Sequence, residues 1–318
     1  MVMRWSNCPE RKEKGKMDEK RRIVIAGAGV MGGSIALLFA RHGYEVAVYD
    51  IEQKGLDRCR KRIQKEIAGA EIIFTREKEC FARAGFVVEA IVENIEAKHL
   101  FWREISSIVS ERAILTTNTS GLSVTQIAEA VKCPRRFCGM HWLNPPHICP
   151  LVEVIKGEKT DAETAEAVRQ TGLDVGRVPV MLEKEVPGFL INRFQFAILR
   201  EAMSLVEAGA AKKEDIDKVF KYGLGLRYAC LGPFEIADLG GLDTFYRIAS
   251  YLFADLCDEK TVMPMLTELV ENGDYGVKTG KGFYEYLGSR AAQVITKRDE
   301  DFEKLAECLY RAETRIHQ

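Results

Sequence analysis

The sequence RIVIAGAGVMG at residues 22–32 decides the fold of the first half of the chain. Residues 22–26 form a β-branched run that ends at a glycine, which predicts a buried strand. Residues 30–42 carry apolar side chains at helical spacing, and Gly43 marks the end of that helix. A glycine-rich turn between a strand and a helix is the beginning of a βαβ unit.

Further strand and helix patterns alternate after this unit. The predicted strands lie at 44–49, 71–74, 86–91, 113–116 and 136–140, and the predicted helices lie at 53–68 and 97–109. This order predicts an α/β fold with a Rossmann-type, doubly wound parallel sheet and right-handed crossovers. We expect this domain to occupy residues 21–186.

The pattern changes near Val186-Pro187-Gly188. Helical spacing follows at 189–208, 213–222, 242–256 and 263–272. Pro187 suits the first turn of a helix, and we expect an all-α C-terminal domain at residues 187–288. The charged, weakly amphipathic segment 289–318 predicts a C-terminal helical tail that packs on its own chain or on a partner, with solvated fraying as the alternative.

Composition bounds the class of protein. The 318 residues are 47% hydrophobic and 29% charged with a net charge of -1, which suits two domains with buried cores and argues against a general nucleic-acid binder. No apolar run reaches about 18 residues, so we expect no membrane-spanning helix. Residues 1–20 are basic and lack an apolar stretch, which predicts a flexible tail rather than a secretory signal. A basic contact arm is the alternative, and Met17 is an alternative start.

Nine cysteines are scattered along the chain. An odd number without regular spacing predicts reduced thiols and a cytoplasmic protein. Five possible zinc ligands lie close together, namely Cys133, Cys138, His141, His147 and Cys149. They include no C-x-x-C pair, and a zinc ion would occupy the histidine on which the chemistry described below depends, so we expect no metal.

Gly27, Gly29 and Gly32 match the pattern G-x-G-x-x-G in its required place between a strand and a helix. Gly27 permits the tight turn, Gly29 lets a pyrophosphate approach the backbone, and Gly32 lets the helix lie close to the sheet. Val30 and Met31 open the helix, where free N–H groups attract phosphates. These residues predict a dinucleotide site, and a turn that binds no nucleotide is the alternative.

Asp50 ends the second predicted strand, 23 positions after Gly27. A carboxylate there accepts a hydrogen bond from a ribose 2′-hydroxyl and repels a 2′-phosphate. Residues 50–52 read Asp-Ile-Glu, without an adjacent arginine. The sequence therefore predicts NAD rather than NADP as the cofactor.

The most unusual stretch is GMHWLNPP at residues 139–146. It places His141 at a predicted strand end and Asn144 in a loop that two prolines stiffen. Glu153 follows between apolar residues, where an acid is costly to bury without a partner. A carboxylate fixes the tautomer of an imidazole and stabilises its cation, so the pair predicts a general base. A structural histidine and an edge-strand acid are the alternatives.

The sequence resembles the 3-hydroxyacyl-CoA dehydrogenase family in segments that follow the family order over about residues 22–286. They are GAGVMG at 27–32, VEAIVEN at 88–94, NTSGLSVTQIA at 118–128, GMHWLNPP at 139–146, LVEVIKG at 151–157, VPGFLINR at 186–193, GPFEIADLGGLD at 232–243 and KTGKGFY at 278–284. The resemblance implies an NAD-binding α/β domain, followed by a helical domain that supplies most of a homodimer interface.

The resemblance also implies catalytic roles for four residues. His141 takes the proton of the substrate hydroxyl, Glu153 orients His141, and Ser120 and Asn192 hold the substrate oxygen. Two of these assignments have alternatives. Ser120 is also placed to cap the next helix, and Asn192 lies where the first turn of a helix is solvated.

Binding roles follow from the same resemblance. It assigns Asn144 to the substrate, and Asn118, Glu93 and Lys98 to the cofactor near the nicotinamide ribose. A surface lysine without a ligand is the alternative for Lys98.

Two features depart from family members that use coenzyme A. In this chain only 36 positions separate Phe86 from Asp50. Family members that use coenzyme A carry a longer helical hairpin in the corresponding segment. Basic residues of helix 53–68 remain available for CoA phosphates, with a solvated basic face as the alternative. Arg227 in GLGLRY resembles the L-gulonate 3-dehydrogenase (λ-crystallin) and carnitine dehydrogenase branch, which acts on free β-hydroxy acids. It is a candidate carboxylate clamp, and bracing of the loop is the alternative.

We therefore expect an NAD-dependent oxidoreductase that oxidises the 3-hydroxyl of a 3-hydroxyacyl-CoA, such as 3-hydroxybutyryl-CoA, in fatty acid metabolism. The first alternative is the same chemistry on a free β-hydroxy acid, gulonate-like or carnitine-like, with Arg227 on its carboxylate. A further relative of this branch oxidises a pyridine carboxylate. The second alternative is a structural protein that binds NAD without turnover.

Overall fold

The computed structural model describes residues 21–66 and 71–310. The chain divides into two compact units, Met1–Trp142 with Val152–Glu185 and Leu143–Leu151 with Val186–Gln318. The predicted flexible tail at 1–20 and the last residues of the predicted C-terminal tail, 311–318, lie outside the described residues.

The first unit is built on one eight-stranded sheet. Its strands are β1 Arg22–Ala26, β2 Glu45–Tyr49, β3 Ile72–Thr75, β4 Phe86–Glu89, β5 Ile114–Thr117, β6 Phe137–Trp142, β7 Leu151–Ile155 and β8 Val178–Leu182. They lie in the order β3-β2-β1-β4-β5-β6-β7-β8, with parallel pairing from β3 to β6 and antiparallel pairing of β6 with β7. The chain order reverses beside β1, and open α/β sheets bind ligands outside the carboxyl ends of the strands at such a point.

Helices connect these strands. They are α1 Val30–Arg41, α2 Gln53–Glu66, α3 Ile95–Ile108, α4 Val124–Ala128 and α5 Ala162–Asp174. The α/β prediction is confirmed, and the strand that contains His141 extends two residues beyond its predicted end. Four further elements, β7, β8, α4 and α5, are not among the predicted ones. β8 is half-exposed without alternation and contains Pro179, so its sequence lacks a strand pattern.

The core of this unit comes from the runs that define β1 and its neighbours. Ile25, Val48, Val88 and Leu115 are fully buried on four strands. Each such aliphatic side chain stabilises the fold by about 1.5–3 kcal/mol relative to exposure. The buried sheet therefore holds the loops at its carboxyl edge on a rigid base.

The described part of the second unit is helical, as predicted. Its helices are α6 Ile191–Glu207, α7 Lys213–Val219, α8 Gly225–Tyr228, α9 Pro233–Gly240, α10 Leu242–Leu252, α11 Pro264–Glu271 and α12 Arg290–Leu309, with a π-helical turn at Phe220–Leu224. The prediction that Pro187 opens a helix is wrong. It precedes a turn in which Gly188 and Phe189 have positive φ angles, and α6 begins after that turn. Within residues 21–66 and 71–310, every helix is too short or too polar to cross a lipid bilayer.

Candidate active site

His141 and Glu153 form a buried pair at the junction of β6 and β7. The two residues lie directly opposite each other in the antiparallel register, although they are 12 positions apart in sequence. His141 Nδ1 lies 2.7 Å from Glu153 Oε2, and the two residues are 3% and 1% exposed. An ionised carboxylate only accepts hydrogen bonds, so Nδ1 carries the proton and Nε2 keeps its lone pair.

Ser120 lies on the Nε2 side of this imidazole. Its hydroxyl Oγ is 3.2 Å from His141 Nε2, and the residue itself is exposed. The helix cap that the sequence offers as an alternative role belongs to a different serine, because Ser123 Oγ accepts the N–H of Gln126. A serine hydroxyl, an imidazole and a carboxylate thus stand in line, with the hydroxyl at the accessible end.

Neither ring nitrogen of His141 is left for the zinc site considered above. Nδ1 faces Glu153 and Nε2 faces Ser120. The Cys138 thiol donates to the carbonyl of Ile155, and burial raises the pKa of this thiol to about 12. Cys138 is therefore a protonated core residue, and among residues 21–66 and 71–310 no cluster of three metal-ligating side chains occurs.

Glu93, expected near the cofactor, holds the loop that carries Ser120. Its Oε1 accepts the Thr119 hydroxyl at 2.5 Å, the Ser120 N–H at 2.8 Å and the Gly121 N–H at 3.3 Å. Burial alone would raise the pKa of Glu93, but these hydrogen bonds and the charge of Lys98 outweigh it and lower the pKa. Glu93 is therefore held in its ionised form by its surroundings.

Lys98 is not the surface lysine that the sequence allows as an alternative. The residue is fully buried, and its Nζ lies 2.6 Å from Glu89 Oε1 and 3.5 Å from Glu93 Oε2. Glu89 is equally buried and also accepts the Thr117 hydroxyl at 2.6 Å. Breaking such a buried pair by removing one partner costs about 3–5 kcal/mol. Glu89 has no predicted role, and no local pattern distinguishes it from a strand residue.

Asn118, another residue expected near the cofactor, joins two strand ends. Its side-chain oxygen accepts the N–H of Trp142 at 3.0 Å, just after the end of β5. The amide nitrogen is the half of this side chain that suits a ligand, since the oxygen already ties the Ser120 loop to the His141 strand.

The glycine-rich turn fits a dinucleotide. Gly27 has a φ of +106°, and a Cβ there would lie 2.4 Å from the carbonyl oxygen of Ala90. A Cβ on Gly32 would lie 1.9 Å from the carbonyl oxygen of Gly27. Around Gly29, by contrast, no described atom lies within 4 Å of the Cβ position. The first and third glycines are thus required by the backbone, and the second leaves room where a pyrophosphate approaches the turn.

Exposed apolar side chains flank this turn at the ends of three neighbouring strands. Val30, Ile51 and Val92 follow β1, β2 and β4 and are 60%, 70% and 67% exposed. Large exposed apolar groups at a binding edge suit a ligand with flat apolar faces, such as an adenine ring. The backbone and the side chains of this edge therefore fit the same cofactor.

Asp50 stands at the end of β2, as predicted. Its Oδ2 accepts the Ala28 N–H at 2.7 Å and its Oδ1 accepts the Glu52 N–H at 2.9 Å, which leaves further lone pairs for a ribose hydroxyl. The structure also places an arginine next to it that the local sequence does not show. Arg76, after β3, donates from Nε to the carbonyl of Ile51 at 3.0 Å.

The remaining predicted site residues belong to the helical unit. Asn144 is exposed and precedes Pro145 in the loop after β6, and Asn192 is half-buried in the first turn of α6. Arg227 is exposed, and it lies on α8 rather than in a loop as its glycine-rich surroundings predict.

Glu185 is a residue that the sequence analysis misses. Its carboxylate accepts the N–H of Val124 and both the N–H and the hydroxyl of Thr125, at 2.5, 3.1 and 2.5 Å. It thus caps α4, the helix after the Ser120 loop. The partners are about 60 positions apart, so only the fold brings them together.

The sheet, the glycine turn and the acid at the end of β2 define the class of NAD-binding oxidoreductases. The model of the 3-hydroxyacyl-CoA dehydrogenase NAD-binding domain matches residues 22–186, and that of the C-terminal domain of the same family matches residues 188–286. The chain belongs to the 3-hydroxyacyl-CoA dehydrogenase family.

Two curated relatives differ in their substrates. A probable 3-hydroxybutyryl-CoA dehydrogenase of Deinococcus radiodurans is 38% identical over 281 residues, which cover 83% of this chain and 100% of that protein. The 5-formyl-3-hydroxy-2-methylpyridine 4-carboxylate 5-dehydrogenase of Mesorhizobium japonicum is 36% identical over 292 residues, which cover 87% and 94%.

Two solved structures show the same division. The structure of a 5-formyl-3-hydroxy-2-methylpyridine 4-carboxylic acid 5-dehydrogenase, described as an NAD+-dependent dismutase, matches with a TM-score of 0.88 at 33% identity. The match covers 92% of this chain and 99% of that enzyme. The 3-hydroxyacyl-CoA dehydrogenase of Archaeoglobus fulgidus has a TM-score of 0.67 at 36% identity, covering 91% and 98%. Relatives of both activities thus occur at similar sequence identity to this chain.

Proposed function

We propose that this protein is an NAD-dependent dehydrogenase that oxidises a small substrate with a free carboxylate, and that His141 is its general base. The observation that carries the reaction is the buried His141–Glu153 pair, whose second ring nitrogen, Nε2, lies 3.2 Å from the exposed Ser120 hydroxyl. A non-catalytic NAD-binding protein has no use for a base that is oriented in this way.

The chemistry follows from the protonation of the pair. His141 Nε2 accepts the proton of the substrate hydroxyl, while the Nδ1–H group keeps its hydrogen bond to Glu153. The negative charge of Glu153 then offsets the positive charge of the imidazolium. Ser120 Oγ donates a hydrogen bond to the substrate oxygen. NAD, when bound, would supply the nicotinamide ring that accepts a hydride from the carbon atom that carries the substrate hydroxyl. The hydroxyl proton and the hydride are then both accounted for, and a carbonyl remains.

The other proposed contacts complete the assignment. Asn118 is assigned to the cofactor, Glu93 and Lys98 lie on the cofactor side as supports of the Ser120 loop, and Asn144 and Asn192 are assigned to the substrate. The proposed domains are the NAD-binding domain at 21–186, the helical domain at 187–288 and a C-terminal helical tail from 289.

Two observations favour a free acid over a thioester. Between Asp50 and Phe86 the described residues contain only α2, β3 and a 3-10 turn, and four positions, 67–70, lie outside the description. The resemblance implies a longer helical hairpin here in relatives that hold coenzyme A, and the short segment of this chain supports a substrate without that group. The backbone also resembles the pyridine-carboxylate enzyme at a TM-score of 0.88. Arg227, an exposed guanidinium, is the proposed partner of the carboxylate.

The experiment is NAD-linked activity on matched substrates. We expect a higher kcat/KM for free acids, among them 3-hydroxybutyrate, gulonate, carnitine and pyridine carboxylates with a hydroxymethyl or a hydrated formyl group, than for 3-hydroxybutyryl-CoA. The variant Arg227→Met should raise the KM of the preferred acid by about tenfold, since a charge-assisted bidentate pair is lost. The exposed Lys221→Met serves as the matched control. A preference for the thioester would restore the acyl-CoA function and remove the role of Arg227.

The proposal includes a homodimer formed through the helical unit. Large apolar side chains of this unit are more exposed than a soluble monomer favours. The most exposed are Tyr222, Phe234, Leu239, Tyr246 and Phe253, at 79%, 86%, 75%, 76% and 74%. We expect light scattering to give twice the chain mass of 35.8 kDa. A monomer at micromolar concentration would contradict the dimer without affecting the proposed reaction.

A further inference from the structure

We infer that Glu93 is a positioning residue for Ser120, and that the buried Glu89–Lys98 pair holds Glu93 in place. The inference rests on the proposed function, because it concerns how the hydroxyl next to the general base is kept in line. It assigns Glu93 and Lys98 a part in the chemistry that does not require either side chain to touch the cofactor.

A single carboxylate oxygen of Glu93 holds the Ser120 loop. Oε1 accepts three hydrogen bonds from consecutive residues, namely the Thr119 hydroxyl and the N–H groups of Ser120 and Gly121. Three hydrogen bonds to one oxygen fix both the position and the orientation of the backbone at residues 119–121 relative to the Glu93 carboxylate. Moving Glu93 therefore moves the backbone of Ser120.

Lys98 anchors the second carboxylate oxygen of Glu93, Oε2. Lys98 Nζ lies 3.5 Å from Glu93 Oε2 and 2.6 Å from Glu89 Oε1, and it donates to the carbonyl of Asn118 at 3.4 Å. Glu89 is in turn held by the Thr117 hydroxyl and by the N–H of Ile91. The ammonium group is thus held by Glu89, and it contacts the Ser120 loop directly at Asn118 and indirectly through Glu93.

The network of Glu93, Lys98 and Glu89 sets the distance between the Ser120 hydroxyl and His141. Ser120 Oγ is 3.2 Å from His141 Nε2, and an active-site group displaced by about 1 Å can lose about a hundredfold in rate. Asn118, whose carbonyl accepts from Lys98, also accepts from the Trp142 N–H beside His141. The loop is therefore tied to the histidine strand at one end and to Glu93 at the other.

The decisive experiment is a double-mutant cycle on the full-length protein. Glu93→Gln removes the charge and one acceptor while keeping the shape, and we expect kcat to fall by about 10–100-fold. Ser120→Ala should lower kcat as well, and the double variant should be no worse than Ser120→Ala within about twofold, because coupled residues are not additive. The affinity for NADH, followed by its fluorescence, should stay within about twofold of the wild type. Additive losses would overturn the inference, and so would a tenfold loss of NADH affinity, which indicates a direct cofactor contact.

A second measurement does not depend on activity. Hydrogen exchange should become faster in the peptide that contains the Ser120 and Gly121 amides in Glu93→Gln, since a neutral amide oxygen is a weaker acceptor than a carboxylate and the amide NH2 group cannot accept on the side of Lys98. Glu96→Gln, which changes an exposed acid in the first turn of the following helix α3, is the matched control and should leave this peptide unchanged. Unchanged exchange in Glu93→Gln would overturn the inference. If the wild type turned over no substrate, the proposed function would fail, and this measurement would still decide the inference.

A milder substitution covers the case in which Glu93→Gln does not fold. Thr119→Val keeps every charge and removes one of the three donors to Oε1. We expect a severalfold fall in kcat with NADH affinity unchanged. A variant as active as the wild type would show that the position of Ser120 does not depend on this contact, against the inference.

Discussion

The cofactor end and the catalytic end of the sheet are built in opposite ways. At the ends of β1 and β2, the backbone supplies the site, through a glycine with a φ of +106° and an open position at Gly29. At the ends of β4, β5 and β6, side chains rather than the backbone form the site. Three carboxylates there, Glu89, Glu93 and Glu153, are hydrogen-bonded to other side chains of the protein. Asp50, the acid of the cofactor end, is bound by backbone N–H groups.

The difference corresponds to the tasks of the two ends. A dinucleotide brings its own charges, so the protein needs space, free N–H groups and one acceptor. A general base has to keep one nitrogen available in one direction, so its neighbours are locked in place. We therefore expect substitutions at one end to change binding and substitutions at the other to change turnover.

The largest effect should come from the catalytic end. His141→Ala removes the base, and we expect kcat to fall by about 10²–10⁴-fold. NADH affinity should stay near that of the wild type, as measured by fluorescence titration. Equal losses of turnover and binding would mean that His141 is structural and that the two ends are not separable.

Gly27→Ala should have the next largest effect, at the cofactor end. The new Cβ would meet the carbonyl of Ala90 and the residue would be strained at positive φ, so we expect NADH affinity to fall at least tenfold and stability to fall by about 1–3 kcal/mol. Gly43→Ala is the matched control, since Gly43 also has a positive φ but lies in open space after α1. It should lose stability only, and a loss of NADH affinity there would contradict the assignment of the turn.

Asp50 and Arg76 should give a moderate effect on cofactor preference. Asp50→Ser removes the repulsion of a 2′-phosphate while Arg76 remains beside Ile51, so we expect the preference for NADH over NADPH to fall by about tenfold. Adding Arg76→Ala should restore most of that preference. If Asp50→Ser leaves the ratio of dissociation constants unchanged, the ribose assignment is wrong.

The smallest effect should appear in the pH dependence of stability. The pKa of Glu93 is lowered from its ordinary value of 4.5, so folding favours the ionised form and the stabilisation is complete above that value. It is lost as the pH falls through the lower pKa of the folded state. Urea unfolding should therefore show a difference between wild type and Glu93→Gln that is constant near neutral pH and shrinks below pH 4.5. A difference that grows on acidification would contradict this sign.

Local sequence predicts the cofactor end almost completely. The strand, turn and helix of 22–41 are contiguous, and Asp50 follows at the spacing that the turn requires. Arg76 is the exception, because only the pairing of β3 with β2 brings it to Ile51.

The catalytic end is less predictable, because its contacts join distant segments. The His141–Glu153 pair follows from a motif and a family resemblance, whereas Glu89 reads as one more strand residue. Lys98 looks like a surface lysine until α3 is seen to place it against β4. Glu185 reaches α4 across about 60 positions, which no pattern of spacing reveals.

The antiparallel register of β6 and β7 separates the chemistry from the connecting loop. Side chains alternate between faces along a strand, so Glu153 meets His141 only while that register holds. The neighbouring pairs Met140–Val154 and Trp142–Val152 are buried as well, and burial strongly specifies a strand register. Insertions or exchanges in the connection can therefore accumulate during evolution without moving the base. Relatives with one mechanism are thus free to diversify in what they recognise.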